Sequence, residues 1–163
     1  MREARLGRNL GISKEAALGI INTYYETYPA VAEFFETIAE DVRQCGFSYT
    51  VLGRRRSHTQ IFSQNKMDRA AEEREATSMT IQGTAADVVK MAMIKCDKAK
   101  LDERFGCHML LQIHDELVFE CKKETADVAK EEIRQCMEHA LPTDLIVPLT
   151  VSLGIGDSWA TAK

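Results

Sequence analysis

Between residues 110 and 120 the chain reads LLQIHDELVFE, with His114, Asp115 and Glu116 side by side between two apolar runs, Leu110 to Ile113 and Leu117 to Phe119. A charge pulled toward a core is costly unless it is paired, hydrogen-bonded or holding a metal. Two apolar runs of strand length on either side of a polar break predict a tight hairpin, whose strands rest on a core and whose tip carries the three titratable groups. Carboxylates held at such a tip suit a hard cation such as Mg²⁺, which takes oxygen ligands and often bridges one or two carboxylates to substrate phosphates. Adjacent strand residues face opposite ways, so Asp115 and Glu116 would not both bind one ion directly, and a further ligand must come from elsewhere. A plain polar turn fits the triplet as well, since Asp is a common turn residue.

The flanking sequence supplies the rest of the layer. CHMLLQI and ELVFEC predict the two strands, and KETADVAKEEIRQCMEHAL a helix with Ala126, Ala129, Ile133 and Met137 inward. LIVPLTVSLGIG, residues 145–156, predicts a last strand, with Pro148 placing it at an edge or giving it an irregular start. The expected class is α+β, with helices on one face of an antiparallel sheet.

Upstream, Ser13 stands as an N-cap before KEAALGIINTYYETY, whose Ala17, Ile20, Ile21, Tyr24 and Tyr28 recur at helical spacing. Pro29 suits the first position of a second helix lined by Val31, Phe34, Phe35, Ile38 and Val42, and Gly46 suits its end. The two form a helical hairpin over residues 1–46, and residues 47–163 are of mixed composition. FSYTVLGRRRSHTQIF predicts a short hairpin whose return strand carries Arg54, Arg55 and Arg56. The stretch from Lys66 to about Glu103 is helical, with Gly83 as its point for a break or kink.

The length is that of one ordinary domain, and a hydrophobic content of 45% is enough for a core. No run approaches the roughly 20 apolar residues of a membrane helix, and MREARLGRNLG has no signal-peptide core, so an intracellular chain is expected. Cys45, Cys96, Cys107, Cys121 and Cys136 are odd in number and lack CxxC spacing, which argues for reduced packing residues rather than a zinc site or a disulfide framework. A net charge of −4 gives no global basic signature; nucleic-acid binding would need only a basic contact face. GxxxxGK[ST], GxSxG and HExxH do not occur.

Two further groupings could carry chemistry. In EREATSMTIQGTAAD, Arg74, Ser78 and Gln82 fall at i, i+4 and i+8, on one face of a continuous helix. Arg and Gln so placed can donate to the minor-groove acceptors of nearly every base pair, testing duplex geometry without reading sequence; a solvated helix face has the same pattern. Arg54, Arg55 and Arg56 have the forked donors that grip phosphates, although basic triplets are common on surface hairpins. His58, His108 and His139 form no ligand spacing with His114 and are read as structural.

In order along the chain, GRRR, ERxAxxxxIQGTAADVVKMAMI, LLQIHDELVFE and VPLTVSLGIGDSW resemble the C-terminal part of the family A DNA polymerases. The resemblance spans nearly the whole chain and implies part of a fingers subdomain over 1–46 and part of a palm over 47–163. It also implies that Asp115 binds catalytic Mg²⁺, that Glu116 supports the site, and that His114 contacts the primer end. Arg74 and Gln82 match positions that touch primer-template DNA near the minor groove; Ser78 stands where asparagine is usual. RNLGIS, residues 8–13, resembles the stretch after the nucleotide-binding fingers helix.

The implied reaction joins a deoxynucleoside triphosphate to a primer 3′-hydroxyl by two-metal catalysis. The family's other metal-binding aspartate, in a DYSQIELR-like strand, is not in this sequence, nor is the fingers helix that holds the incoming nucleotide. Both would lie upstream of Met1. The chain alone is therefore expected to be inactive, and a sheet edge lacking that strand is expected to favour self-association. A DNA- or protein-binding module derived from a palm is the alternative, though an intact His-Asp-Glu serves no purpose in a pure binder. A metal-dependent nuclease would need a second carboxylate cluster.

Overall fold

Ser13 has extended backbone (φ −65°, ψ 159°) and its hydroxyl accepts from the Ala16 N–H at 3.1 Å. This is the N-cap the sequence predicts, and it opens α2 (Lys14–Thr27) after the short α1 (Glu3–Leu10). The computed structural model describes residues 3–142 and 145–162. Tyr28 alone separates α2 from α3 (Pro29–Cys45), with Pro29 at the helix start, where its missing N–H leaves no partner wanting. At the other end Gly46 turns left-handed (φ 75°) and donates its N–H to the Val42 carbonyl at 2.9 Å. Of the predicted inward positions on α2, Ala17 is fully buried, while Ile20, Tyr24 and Tyr28 are exposed among the described residues.

The basic hairpin forms from β1 (Phe47–Tyr49) and β2 (Arg55–Ser57), paired antiparallel with Phe47 opposite Ser57 and Tyr49 opposite Arg55; Arg55 and Arg56 lie on the return strand as expected, and Arg54 just before it. A 3₁₀ turn over Thr59–Phe62 leads toward α4 (Lys66–Lys98). The helix passes through Gly83 without interruption. It ends at Lys98, and Lys100, in left-handed backbone (φ 54°), precedes α5 (Leu101–Phe105). One glycine costs a helix only roughly 1 kcal/mol, a small fraction of what the rest of a 33-residue helix contributes.

The second hairpin is β3 (His108–Ile113) and β4 (Glu116–Glu120), antiparallel, with a register shift between Met109 and Leu111. After a 3₁₀ turn over Lys123–Thr125 comes α6 (Ala126–Glu138), with Ala129 and Ile133 buried as the periodicity predicts.

The predicted last strand is a correction. Residues 145–156 form no strand, and no strand among the described residues pairs with them. Their backbone is held by side chains instead: the Val151 N–H donates to Glu138 and the Val151 carbonyl accepts from Arg134, both at 3.0 Å. Extended sequence becomes a strand only when a ladder partner satisfies its N–H and C=O groups, and Pro148 has no N–H to offer one. The class is α+β, but its sheet content is two separate hairpins rather than one larger sheet.

Two compact units result, one comprising residues 1–49 and 53–80, the other 50–52 and 81–163. The first is built on Val42, Ile61 and Ala76, with Ile38 packed against them. It is pinned by Arg43, which bonds Glu73 at 2.8 Å and Glu36 at 2.9 Å, so that its guanidinium is held charged even more firmly than usual. The second is built on Cys96, Leu101, Cys107, Ala129 and Ile133, flanked by Met109 and Phe119 of the β3–β4 hairpin.

Candidate functional site

The β3–β4 hairpin closes through a two-residue turn, His114–Asp115, with Ile113 opposite Glu116. Inward-facing Met109 and Phe119 anchor its open end on the core, while His114, Asp115 and Glu116 are all exposed at the tip. His114 takes positive φ (53°), a backbone state a residue with a Cβ enters at a cost of about 1–2 kcal/mol. Gln112 holds that state, its side-chain amide donating to the His114 carbonyl at 2.6 Å. The two carboxylates follow His114 directly in sequence, Asp115 in the turn and Glu116 at the start of β4. Gln112 was not singled out from the sequence. Its place two residues before the turn, at the end of an apolar run, is the signal that marks it.

As oxygen donors at a solvent-facing tip, Asp115 and Glu116 fit a hard divalent cation. The three-ligand grouping found among the described residues lies elsewhere, at His58, Glu72 and Glu75. Asp115 lies in the turn and Glu116 opens β4, so the strand alternation expected to separate them does not apply to this pair.

On the uninterrupted α4, Arg74 and Gln82 are exposed and Ser78 is half-buried, at the spacing of a common face. Arg74 and Ser78 belong to the first unit and Gln82 to the second. Arg54 and Arg55 are exposed, and the Arg55 guanidinium carbon lies over the Phe47 ring, 4.5 Å from its centroid. Arg56 pairs with Glu75 of α4 at 2.7 Å.

His58 is fully buried, consistent with its structural reading. Nδ1 lies 2.6 Å from Glu72 Oε2, and Nε2 lies 2.8 Å from Ser48 Oγ. Every ring nitrogen is satisfied, and the imidazole ties β1 to α4. The recess alongside, lined by Gln60, Asp68, Ala71, Glu72 and Glu75, is acidic and repels phosphate.

Known proteins share this chain's pattern throughout its length. The model of the family described as DNA polymerase family A matches residues 1–161. The thermostable DNA polymerase I of Thermus aquaticus is 41% identical over 163 residues, all of this chain and 19% of that protein. DNA polymerase I of Lactococcus lactis subsp. lactis is 40% identical over 158 residues, covering 97% of this chain and 18% of that protein. Among solved structures, the POL domain of Pol1 from M. smegmatis, in complex with DNA primer-template and dNTP, superposes with a TM-score of 0.91 at 38% identity, covering 99% of this chain and 28% of that one. The chain thus spans about a fifth of the length of the curated relatives it matches. No helix among the described residues is long and apolar enough to cross a membrane.

Proposed function

Because the chain belongs to DNA polymerase family A, we propose that it is the part of a template-directed DNA polymerase that presents the primer end and one metal-binding carboxylate to the reacting phosphate. The observation that carries this reading is the hairpin tip: His114, Asp115 and Glu116 exposed on a turn whose strands are anchored in a core. Residues 1–46 are read as part of the fingers and 47–163 as part of the palm.

In this reading Asp115 is a Mg²⁺ ligand, with Glu116 beside it to support the site. Bound metal there would lower the pKa of the primer hydroxyl and neutralise charge developing on the triphosphate. His114, its backbone fixed by Gln112, orients the primer terminus. Arg74 and Gln82 donate to the minor-groove side of the newest pairs, where every correct pair offers equivalent acceptors. Ser78 has too short a side chain to reach as an amide would. Arg54 and Arg55 hold backbone phosphate. The relative from M. smegmatis was solved with primer-template DNA and dNTP, and those are the ligands proposed here.

Two-metal chemistry needs carboxylates placed on both ions. Asp115 with Glu116 supplies one side of such a site, so the chain by itself is expected not to extend a primer. The decisive measurement is primer extension by a polymerase in which this chain follows a family A segment carrying the second metal-binding aspartate. Asp115→Ala there should reduce incorporation by at least about a thousandfold, on the order of 4 kcal/mol of transition-state stabilisation, while duplex affinity changes little. Undiminished incorporation by the substituted protein would refute the assignment. Primer extension by the 163-residue chain alone would refute the expected inactivity.

A further inference from the structure

The β3–β4 register pairs residues whose numbers rise on one strand as they fall on the other, His108 with Glu120 and Met109 with Phe119. One step further out it sets Cys107 opposite Cys121. The alignment persists beyond that step, because a Cβ added at Gly106 would meet the Lys122 side chain at 2.9 Å. Side chains alternate accordingly. His108 and Glu120 face solvent, whereas Met109, Phe119, Cys107 and Cys121 all belong to the core cluster. Directly opposed antiparallel residues have Cα atoms about 4.5–5.5 Å apart, inside the window a disulfide needs.

We propose that Cys107 and Cys121 form a redox site, closing to an intramolecular disulfide across the open end of the hairpin when the chain meets a low-molecular-weight disulfide. The proposal is independent of the polymerase reading. Cys121 is half-buried and Cys107 buried, so the order of events follows from access. The Cys121 thiolate attacks one sulfur of the oxidant, whose S–S bond breaks, and the departing thiolate takes up a proton. Cys107 then gives its proton to solvent and attacks the Cys121 sulfur, expelling the second thiol. Two protein thiols become one disulfide, and one small disulfide becomes two thiols.

The second step is the slow one. Burial, with the Cys121 thiol close by, pushes the Cys107 thiol up to about 12, so little of it is thiolate at neutral pH. Cys96 and Cys136 are a competing pair in the same cluster, and burial pushes the Cys96 thiol up in the same way, to about 12. Both of those sulfurs are carried by helices. Cys136 is half-buried like Cys121, so access does not separate the two pairs; the 107–121 pair is distinguished by its cross-strand geometry.

The test treats the 163-residue chain, carrying Cys45→Ser to remove the exposed thiol, with oxidised glutathione over a range of pH. Aliquots are quenched by alkylation and mapped by mass spectrometry. The expected product has lost two hydrogens, carries no glutathione, and yields a single cross-linked peptide joining 107 to 121. It is preceded by a Cys121 adduct that resolves roughly tenfold faster per pH unit. Cys107→Ser should leave that adduct unresolved, and Cys121→Ser should prevent both species. A Cys121 adduct that persists in the chain with both cysteines, or a cross-link joining Cys96 to Cys136 instead, would overturn the proposal.

Discussion

A residue with a Cβ in left-handed backbone is unusual enough to ask what holds it, and at His114 the holder is one amide. Gln112 donates to the His114 carbonyl, and histidine, like asparagine, tolerates the left-handed backbone of this turn better than a β-branched residue does. His114→Asn should therefore change stability by less than about 0.5 kcal/mol, because Asn tolerates left-handed backbone, whereas β-branched His114→Val should cost about 1–2 kcal/mol. Urea unfolding of the chain measures both, and equal losses would show that backbone geometry is not what the position demands. Sequence alone placed His114, Asp115 and Glu116 at a tip, because apolar runs on both sides left them nowhere else to go. It could not reveal that Arg56 pairs with Glu75 or that His58 bonds Glu72 and Ser48, since those partners are 10–19 residues away in sequence. Spacing within an element reveals shared faces; contacts between elements depend on how the elements pack.

At the scale of elements, helix boundaries were the most legible feature, because their causes are local. Ser13 caps α2 with its own hydroxyl, Pro29 starts α3, and Gly46 ends it in the backbone state glycine enters most easily. Gly46 also has no room to change: a Cβ there would sit 3.0 Å from Phe62 Cε2. Gly46→Ala combines left-handed strain with that clash and should cost about 2 kcal/mol or more, read as a lower urea midpoint. A loss near zero would mean that Phe62, which is mostly exposed, swings aside and that α3 tolerates another ending. The expectations that failed had non-local causes. Gly83 was the expected point for a break or kink, but a single glycine's cost is small against the whole of a 33-residue helix, and α4 ends at Lys98, shortly before Lys100 turns left-handed. Residues 145–156 have strand composition yet remain unpaired, with Ile146 and Val147 at 104% and 76% exposure. β-propensity describes a residue's fit to a half-buried pleated surface, and it makes no strand without a neighbour.

For the molecule as a whole, the two units differ in the chemistry of their cores, and pH can tell them apart. The first is built on Val42, Ile61 and Ala76, none of which ionises. The second contains Cys96 and Cys107, whose thiols burial pushes to about 12. An unfolded cysteine titrates near 8.5. Between that value and 12 the folded second unit keeps protons that the unfolded chain has released, so its stability must fall as pH rises. Below about pH 8 both states are protonated and these thiols add no pH dependence. The slope for each thiol approaches about 1.4 kcal/mol per pH unit within that window. Limited proteolysis mapped by mass spectrometry from pH 8 to 11 should therefore find cleavage rising first within 101–139, while 29–49 stays protected longer. Tyrosine and lysine titration also acts in this range, so the comparison that isolates the thiols is the Cys96→Ala, Cys107→Ala double variant. Although less stable at pH 8, it should show a flatter decline in the second unit. If the decline is as steep without the two thiols, their ionisation is not what loosens that core, and the alkaline sensitivity belongs to the surface charges instead.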